Sequence, residues 1–309
     1  MNLPPIRQLQ YLVALQETRH FGRAAELVNV TQSTLSTGIK ELESFLDVTL
    51  VERTNKSVSF TELGNRIADK ARYILMQTED LVDEARSLSD PLSTPIRLGA
   101  IPTIAPYLIS PFVKAIRKRF AGLNLYIREN TTAALIEELI ANKLDLIILA
   151  LPYEAGQVET RTVFREGMHL AFHHRSQLLQ GRKIDFDTLP DESLLLLDDG
   201  HCLRDHALAG CRLKNQKKIH TFGANSLDML LQMVDEDLGV TIVPDMAVRA
   251  GVLKGTHIET TRLPVSRYHR DIGFAWRRGA SREKLFFDLM DLLPAPKGEK
   301  PARKKAATA

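Results

Sequence analysis

The chain has 309 residues, of which 44% are hydrophobic and 26% are charged, which is ordinary for a globular protein with room for two or three compact units. No apolar run approaches the roughly 20 residues that cross a bilayer, and the N-terminus has no secretory pattern, so we expect a cytoplasmic protein. The last thirteen residues carry five basic and one acidic residue, which leaves about −1 (+3 minus +4) for the remainder. Overall charge therefore does not indicate a nucleic-acid partner. We interpret residues 295–309 as a disordered basic tail.

Three helical segments fill the first part of the chain. Apolar residues recur at helical spacing over residues 7–17, the sequence HFG interrupts them, and a short helix follows in RAAELV. Thr31 is placed to cap a third helix, TQSTLSTGIKELESF, because its hydroxyl can accept a backbone hydrogen bond. A helix, a tight turn and a second helix with a polar face form the helix-turn-helix plan.

The polar face of the third helix carries short hydrogen-bonding side chains that could approach bases and phosphates in a major groove. The expected DNA-binding residues here are Thr31, Gln32, Ser33, Thr34, Ser36, Thr37 and Lys40. Two short strands are expected in VTLVERTNKSVSF, as a wing whose Arg53 and Lys56 meet the phosphate backbone. This makes residues 1–60 a winged helix-turn-helix. Since residues 1–64 hold six basic and seven acidic residues, a generic three-helix interaction module stays open as an alternative.

A long helix is expected over residues 61–90. Its apolar residues follow heptad spacing, which is typical of a coiled-coil seam: Ile67, Ala71, Ile74, Thr78, Leu81, Ala85 and Leu88. We expect the partner to be a second copy of the chain, and the alternative is packing of this helix on its own domain. Proline residues at 91 and 95 mark a hinge over residues 91–95.

From residue 96 to residue 294, apolar strands alternate with amphipathic helices, which predicts an α/β domain with a parallel sheet covered on both faces. The pattern occurs twice. We expect lobe I over about 96–165 and 268–294, and lobe II over about 166–267. The end of LSTPIRLGAIPT, where a strand leads into a helix, is an expected ligand edge.

Both cysteines lie in DDGHCLRDHALAGC, as Cys202 and Cys211. His201, Arg204 and a helix beginning near Cys202 could lower its thiol pKa and activate it as a nucleophile. If the intervening residues are helical, the two Cα atoms lie about 13 Å apart, whereas a disulfide needs roughly 4.4–6.8 Å. Bond formation would therefore require unwinding. Two alternatives stay open. The first is a zinc site formed by His201, Cys202, His206 and Cys211, although the spacing of these four residues is irregular for zinc ligands. The second is that both cysteines are inert buried thiols.

The segment FGRAAELVNVTQSTLSTGIKELESFLDVTLVERTNKSVSFTELG resembles the N-terminal signature of LysR-type transcriptional regulators. The resemblance implies a winged helix-turn-helix, a dimerising linker helix and a two-lobed sensor domain with the periplasmic-binding-protein fold. Ser33 departs from the proline that many members carry, which leaves the fold unaffected and the base preference open.

The cysteine segment, together with HFGRAA, GAIPTIAPYL, LDLIILAL and NSLDMLLQMV, is similar to the hydrogen-peroxide-sensing members of that family. The resemblance implies that Cys202 is peroxidatic and Cys211 resolving. It also implies that Thr103, Thr132, His201 and Arg270 surround the peroxide. His206 replaces a common glutamine, and we expect it on the helix surface.

The function expected from this resemblance is control of antioxidant genes by a peroxide-responsive regulator that is not an enzyme and uses no metal or cofactor. Its expected partners are promoter DNA, other copies of the chain as a dimer of dimers, RNA polymerase, hydrogen peroxide as effector, and a reductant such as glutaredoxin or thioredoxin. The alternative is a regulator of the same family that binds a small anionic metabolite between the lobes.

Overall fold

The computed structural model describes residues 3–53, 58–87, 92, 94–153, 156–178, 186–211, 213 and 215–294. The chain divides after Ser89 into two compact units. None of the helices among the described residues is long and apolar enough to cross a membrane.

The N-terminal unit begins with three helices, as the sequence predicts: α1 (Ile6–Thr18), α2 (Phe21–Leu27) and α3 (Gln32–Leu46). Helix α2 starts two residues earlier than the RAAELV pattern indicates, because the His20 side chain accepts a hydrogen bond from the Arg23 backbone at 3.3 Å and caps it. Thr31 caps α3 by accepting from the backbone of Thr34 at 3.2 Å. Helices α1 and α3 approach closely where the Tyr11 ring lies on Gly38.

Strands β1 (Val51–Arg53) and β2 (Val58–Phe60) pair antiparallel, with Val51 opposite Phe60. The turn between them, including Lys56, and the Arg53 side chain lie outside the described residues. Helix α4 (Glu62–Ser87) follows.

The expected seam on α4 divides into two parts. Ile67 and Ala71 pack into the core of the N-terminal unit, which was the alternative interpretation of this helix. Ile74 and Leu81, further along, are 47% and 65% exposed. The last seam residue, Leu88, lies outside the described residues.

The C-terminal unit alternates strands and helices. Its first part contains β3 (Ile96–Ala100), α5 (Ala105–Arg119), β4 (Leu125–Glu129), α6 (Thr132–Ile140) and β5 (Leu146–Leu151). Its second part contains β6 (Val158–His173), β7 (Leu194–Leu197), α7 (Cys202–Cys211), β8 (Ile219–Ala224), α8 (Leu227–Asp235), β9 (Thr241–Pro244), α9 (Asp245–Ala250) and β10 (Ile258–Arg262). The described chain ends with β11 (His269–Arg277) and α10 (Glu283–Met290).

The main sheet has seven strands in the order β10-β6-β11-β5-β3-β4, with β9 also paired to β6. The expectation of a parallel sheet is confirmed only for part of this sheet and for the separate pair of strands β7 and β8, which is also parallel. Strands β4, β3 and β5 are parallel, but β11 is antiparallel to both β5 and β6, and β9 and β10 are antiparallel to β6. The reason is that the chain crosses between the lobes along β6 and returns along β11, so neighbouring strands run in opposite directions.

Two hydrophobic cores lie on the two parts of this sheet. The core of lobe I packs α5, α6 and α10 around β3, β5 and β11, and the core of lobe II packs α7 and α8 around β7 and β9. The segment PTIAPYL contains the first turn of α5, in which Pro106 occupies a position where no backbone N–H is needed.

Candidate redox site

The candidate site lies where three helices begin, at the boundary of the two lobes. Thr103 stands in the turn between β3 and α5, Thr132 is the first residue of α6, and Cys202 is the first residue of α7. Arg270 lies on β11 directly opposite Glu166 on β6. Helix N-termini carry partial positive charge and free N–H groups, so this junction favours an anion or a polar ligand.

Arg270 is the fixed cation of the site and is only 1% exposed. Its Nε donates to Glu166 Oε2 at 2.7 Å, and its Nη1 donates to Thr103 Oγ1 at 2.8 Å. The second carboxylate oxygen of Glu166 accepts from the Met246 backbone at 2.7 Å. Burial raises the pKa of Glu166, while Arg270 and the Met246 N–H oppose that shift. The pair fixes the guanidinium in one orientation.

Cys202 is a half-buried free thiol packed against the core of lobe I. Burial raises the pKa of Cys202 above its usual value, because it penalises the thiolate. Three groups act in the opposite direction: the charge of Arg270, the Thr132 hydroxyl and a backbone hydrogen bond from Ala150. Apart from its contact with this thiol, the buried Thr132 hydroxyl has no hydrogen-bond partner among the described residues, which leaves it available to a ligand.

The cation that lowers the pKa of Cys202 is Arg270 rather than Arg204, which the sequence predicted. Arg204 bonds the Asp199 carboxylate at 2.9 Å and the Leu197 carbonyl at 3.0 Å, so it turns away from the thiol. Arg270, which is distant in the chain, takes that role. His201 immediately precedes Cys202 and is half-buried.

His206 is half-buried rather than on the solvated surface of α7. Burial, followed by the charges of Arg270 and His269, lowers the pKa of His206 to about 4. The imidazole of His206 is therefore neutral near pH 7, and Arg270 is the cation whose charge acts on it.

Two residues of this site were missed by the sequence reasoning, Glu166 and Tyr107. Tyr107 packs against the cores of both lobes, and its pKa is raised to about 12, mainly by burial and then by the charge of Asp228. A glutamate inside the apolar strand FREGMHLAF is the signal that could have found Glu166, because a buried carboxylate needs a cationic partner.

Cys211 is at the other end of α7, 2% exposed and inside the core of lobe II. Helix α7 runs without interruption from one cysteine to the other, which places their Cα atoms about 13 Å apart at 1.5 Å per residue. Because the two thiols lie in different cores and the helix between them is intact, His201, Cys202, His206 and Cys211 do not form the zinc site considered above. Among the described residues, no group of three or more His, Cys, Asp or Glu is positioned to hold a metal ion.

The expected DNA-binding face lies on α3. Six of its seven residues are exposed and Ser36 is half-buried. The Thr31 hydroxyl is engaged locally, with Ser33 Oγ at 2.9 Å and Thr34 Oγ1 at 2.8 Å, so it organises the start of α3. Gln32, Thr37 and Lys40 belong to the exposed set.

Two family models match the chain: the bacterial regulatory helix-turn-helix of the LysR family over residues 6–65, and the LysR substrate binding domain over residues 89–295. The chain is 36% identical over 295 residues to the hydrogen peroxide-inducible genes activator of Escherichia coli O6:H1, with 94% of this chain and 95% of that protein covered. It is 38% identical over 253 residues to the HTH-type transcriptional regulator EstR of Acinetobacter baylyi, with 82% and 83% covered.

Among solved structures, a full-length OxyR from Pseudomonas aeruginosa matches with a TM-score of 0.73 and 33% identity, over 94% of this chain and 95% of that one. The match includes both the helix-turn-helix and the two-lobed unit. The winged helix-turn-helix, the long helix and the two-lobed α/β unit were therefore predicted correctly, and the chain belongs to the LysR family of transcriptional regulators.

Proposed function

We propose that this regulator senses hydrogen peroxide through a reversible disulfide between Cys202 and Cys211 and controls antioxidant genes. The observation that carries the proposal is the setting of Cys202, a half-buried thiol beside a fixed cation and a buried hydroxyl that lacks another partner among the described residues. Its relatives named for peroxide induction support the same assignment.

The chemistry takes two steps. The Cys202 thiolate attacks one peroxide oxygen, so that an S–O bond forms, the O–O bond breaks, and the leaving hydroxide takes a proton to become water. Arg270 stabilises the thiolate and the developing hydroxide, while Thr103 and Thr132 orient the peroxide and His201 lines the entrance. The Cys211 sulfur then attacks the sulfenic acid at Cys202, which forms the S–S bond and releases a second water.

The second step couples oxidation of the cysteines to a change in the backbone conformation of α7. The Cα atoms must move from about 13 Å apart in the helix to roughly 4.4–6.8 Å, so α7 unwinds. Remodelling of lobe II then changes how two regulatory units associate and where the recognition helices meet promoter DNA. The exposed part of α4, with Ile74 and Leu81, pairs with a second copy in a dimer of dimers.

Other partners follow from this role. RNA polymerase is contacted at the promoter, and a thiol reductant such as glutaredoxin or thioredoxin resets the disulfide. The reaction occurs once per oxidation and is not enzymatic turnover. A cytoplasmic location fits free thiols that are oxidised only transiently.

The test is mass spectrometry of the full chain after brief peroxide treatment, which should find a Cys202–Cys211 crosslink. Cys202→Ser should bind DNA normally but lose the peroxide response in a gel-shift assay. Cys211→Ala should stop at the sulfenic acid, detectable by dimedone labelling. A Cys202→Ser variant that still responds to peroxide would exclude the proposal.

A second candidate is a regulator that binds a small anion between the lobes, with the thiols incidental. It is favoured by the convergence of three helix N-termini on Arg270 and by the similarity to EstR. Peroxide treatment distinguishes the two candidate functions. Under the second candidate, no Cys202–Cys211 crosslink forms, and the Cys202→Ser variant keeps its full response to the anion.

A further inference from the structure

The C-terminal end of α7 is held by an arginine from another part of the chain. Arg267 Nε donates to the Gly210 carbonyl and Arg267 Nη2 donates to the Cys211 carbonyl, both at 2.6 Å. The last carbonyls of a helix have no partner within the helix, and a cation at that end is also favoured by the helix dipole. Two charge-assisted hydrogen bonds therefore stabilise the last turn of α7.

Tyr268 holds the same turn by packing. A Cβ added to Gly210 would lie 2.7 Å from the Tyr268 ring, so glycine is what permits this contact. Tyr268 is 7% exposed in the core that contains Cys211, and the Arg267 guanidinium lies 5.2 Å from its ring centroid. We call Arg267 and Tyr268 the α7 clamp.

The clamp acts on one end of the helix only. At the other end, the thiol of Cys202 is influenced by Arg270, Thr132 and Ala150. The two carbonyls that Arg267 binds point along the helix axis together only while the last turn is helical. The clamp therefore stabilises the dithiol conformation from the end of α7 opposite to the reacting sulfur.

We propose that Arg267 is a positioning residue that sets the redox poise of the cysteine pair by holding α7 helical. This inference rests on the proposed disulfide chemistry. The clamp leaves the first step, peroxide attack by Cys202, unaffected. It opposes the second step, in which Cys211 displaces hydroxide from the sulfenic acid, because that step requires a conformation the clamp disfavours. A stabilised dithiol form raises the reduction potential of the pair.

The experiment uses the full chain with Arg267→Ala. Arg267 is exposed to solvent, so truncation leaves the core intact. Equilibration with glutathione buffers should give a disulfide favoured about tenfold over wild type, which is a potential lower by about 30 mV for a two-electron couple. Arg267→Lys keeps the charge but loses the planar group that binds both carbonyls, so it should shift the potential in the same direction by less.

The matched control is Arg278→Ala. Arg278 is an exposed arginine whose ion pair with Glu159 spans 3.6 Å, and its removal should leave the potential of the cysteine pair unchanged.

A second readout separates positioning from general destabilisation. In a Cys211→Ala background, the rate of sulfenic acid formation at Cys202 should be the same whether position 267 carries arginine or alanine. The role of the clamp is overturned, while the disulfide chemistry stands, if Arg267→Ala leaves the reduction potential unchanged. It is also overturned if the rate of sulfenic acid formation changes by the same factor as the disulfide equilibrium. Absence of the crosslink in wild type overturns both.

Discussion

Replacing Glu166 with glutamine tests the buried ion pair of the site. The change keeps the size of the side chain and removes the negative charge that Arg270 faces at 2.7 Å. We expect two effects in opposite directions: the regulatory unit becomes less stable, and the pKa of Cys202 falls. The second effect arises because the charge of Arg270 is no longer neutralised by its neighbour and acts more strongly on the thiolate.

The magnitude follows from the two hydrogen bonds that Glu166 accepts, from Arg270 and from the Met246 backbone. A glutamine can accept only one of them, and its amide group then faces the other donor. Removing one partner of a buried pair costs about 3–5 kcal/mol, and we expect about 3 kcal/mol, because burial already opposes the charged form of Glu166. For a unit of this size, that corresponds to a fall in Tm of about 6–12 °C.

Calorimetry of the full chain measures the stability, and the pH dependence of alkylation by iodoacetamide in a Cys211→Ala background measures the pKa of Cys202. The control is Glu159→Gln, which removes a carboxylate from the same strand at a partly exposed site and should change neither quantity. A Glu166→Gln protein with unaltered Tm and unaltered alkylation profile would refute the idea that Glu166 is the counter-charge of Arg270.

Three further predictions concern single side chains. Thr132→Val removes a hydroxyl that lowers the pKa of Cys202, so dimedone labelling after peroxide treatment should be slower at pH 7. In the wild type, whose thiol pKa is raised, the labelling rate should increase with pH from about 6 to about 8.5, where free thiols titrate. A labelling rate that stops increasing at neutral pH would contradict this. The pKa of His206 is lowered to about 4 in the folded protein, so on acidification the histidine is protonated in the unfolded chain before it is protonated in the folded one. The free energy of unfolding should therefore fall between about pH 6.5 and about pH 4 by up to about 3 kcal/mol. Denaturant titrations should show that His206→Gln loses less of its free energy of unfolding over this pH range. Gly38→Ala places a Cβ 2.6 Å from the Tyr11 ring and should lower the stability of the N-terminal unit by about 1–3 kcal/mol, measured by thermal unfolding, whereas equal stability would mean that the ring moves aside freely.

Local signals predicted the N-terminal unit well, because caps and helical spacing act over a few residues. Thr31 marked the start of α3, and the start of α2 was misplaced only because a histidine cap is a weaker signal than threonine. The helical character of the segment between the cysteines was also predictable, since LRDHALAG contains no strong helix breaker before its last residue.

Contacts between distant residues were not predictable in the same way. Arg204 is close to Cys202 in sequence, but it bonds Asp199 instead, and proximity along the chain was mistaken for proximity in space. Glu166 meets Arg270 only because two strands pair antiparallel, and apolar strand patterns contain no information about strand direction.

Strand β6 has a consequence for how this unit can respond to any effector. Its 16 residues pair with β11 in their first part and with β9 and β10 in their second, so one unbroken strand belongs to both lobes. Rotation of the lobes would have to bend this continuous strand between Gly167 and Met168, where its pairing partners change. Large clamshell motion is therefore disfavoured, and a chemical signal at the lobe boundary is better converted by refolding one short helix than by closing a cleft.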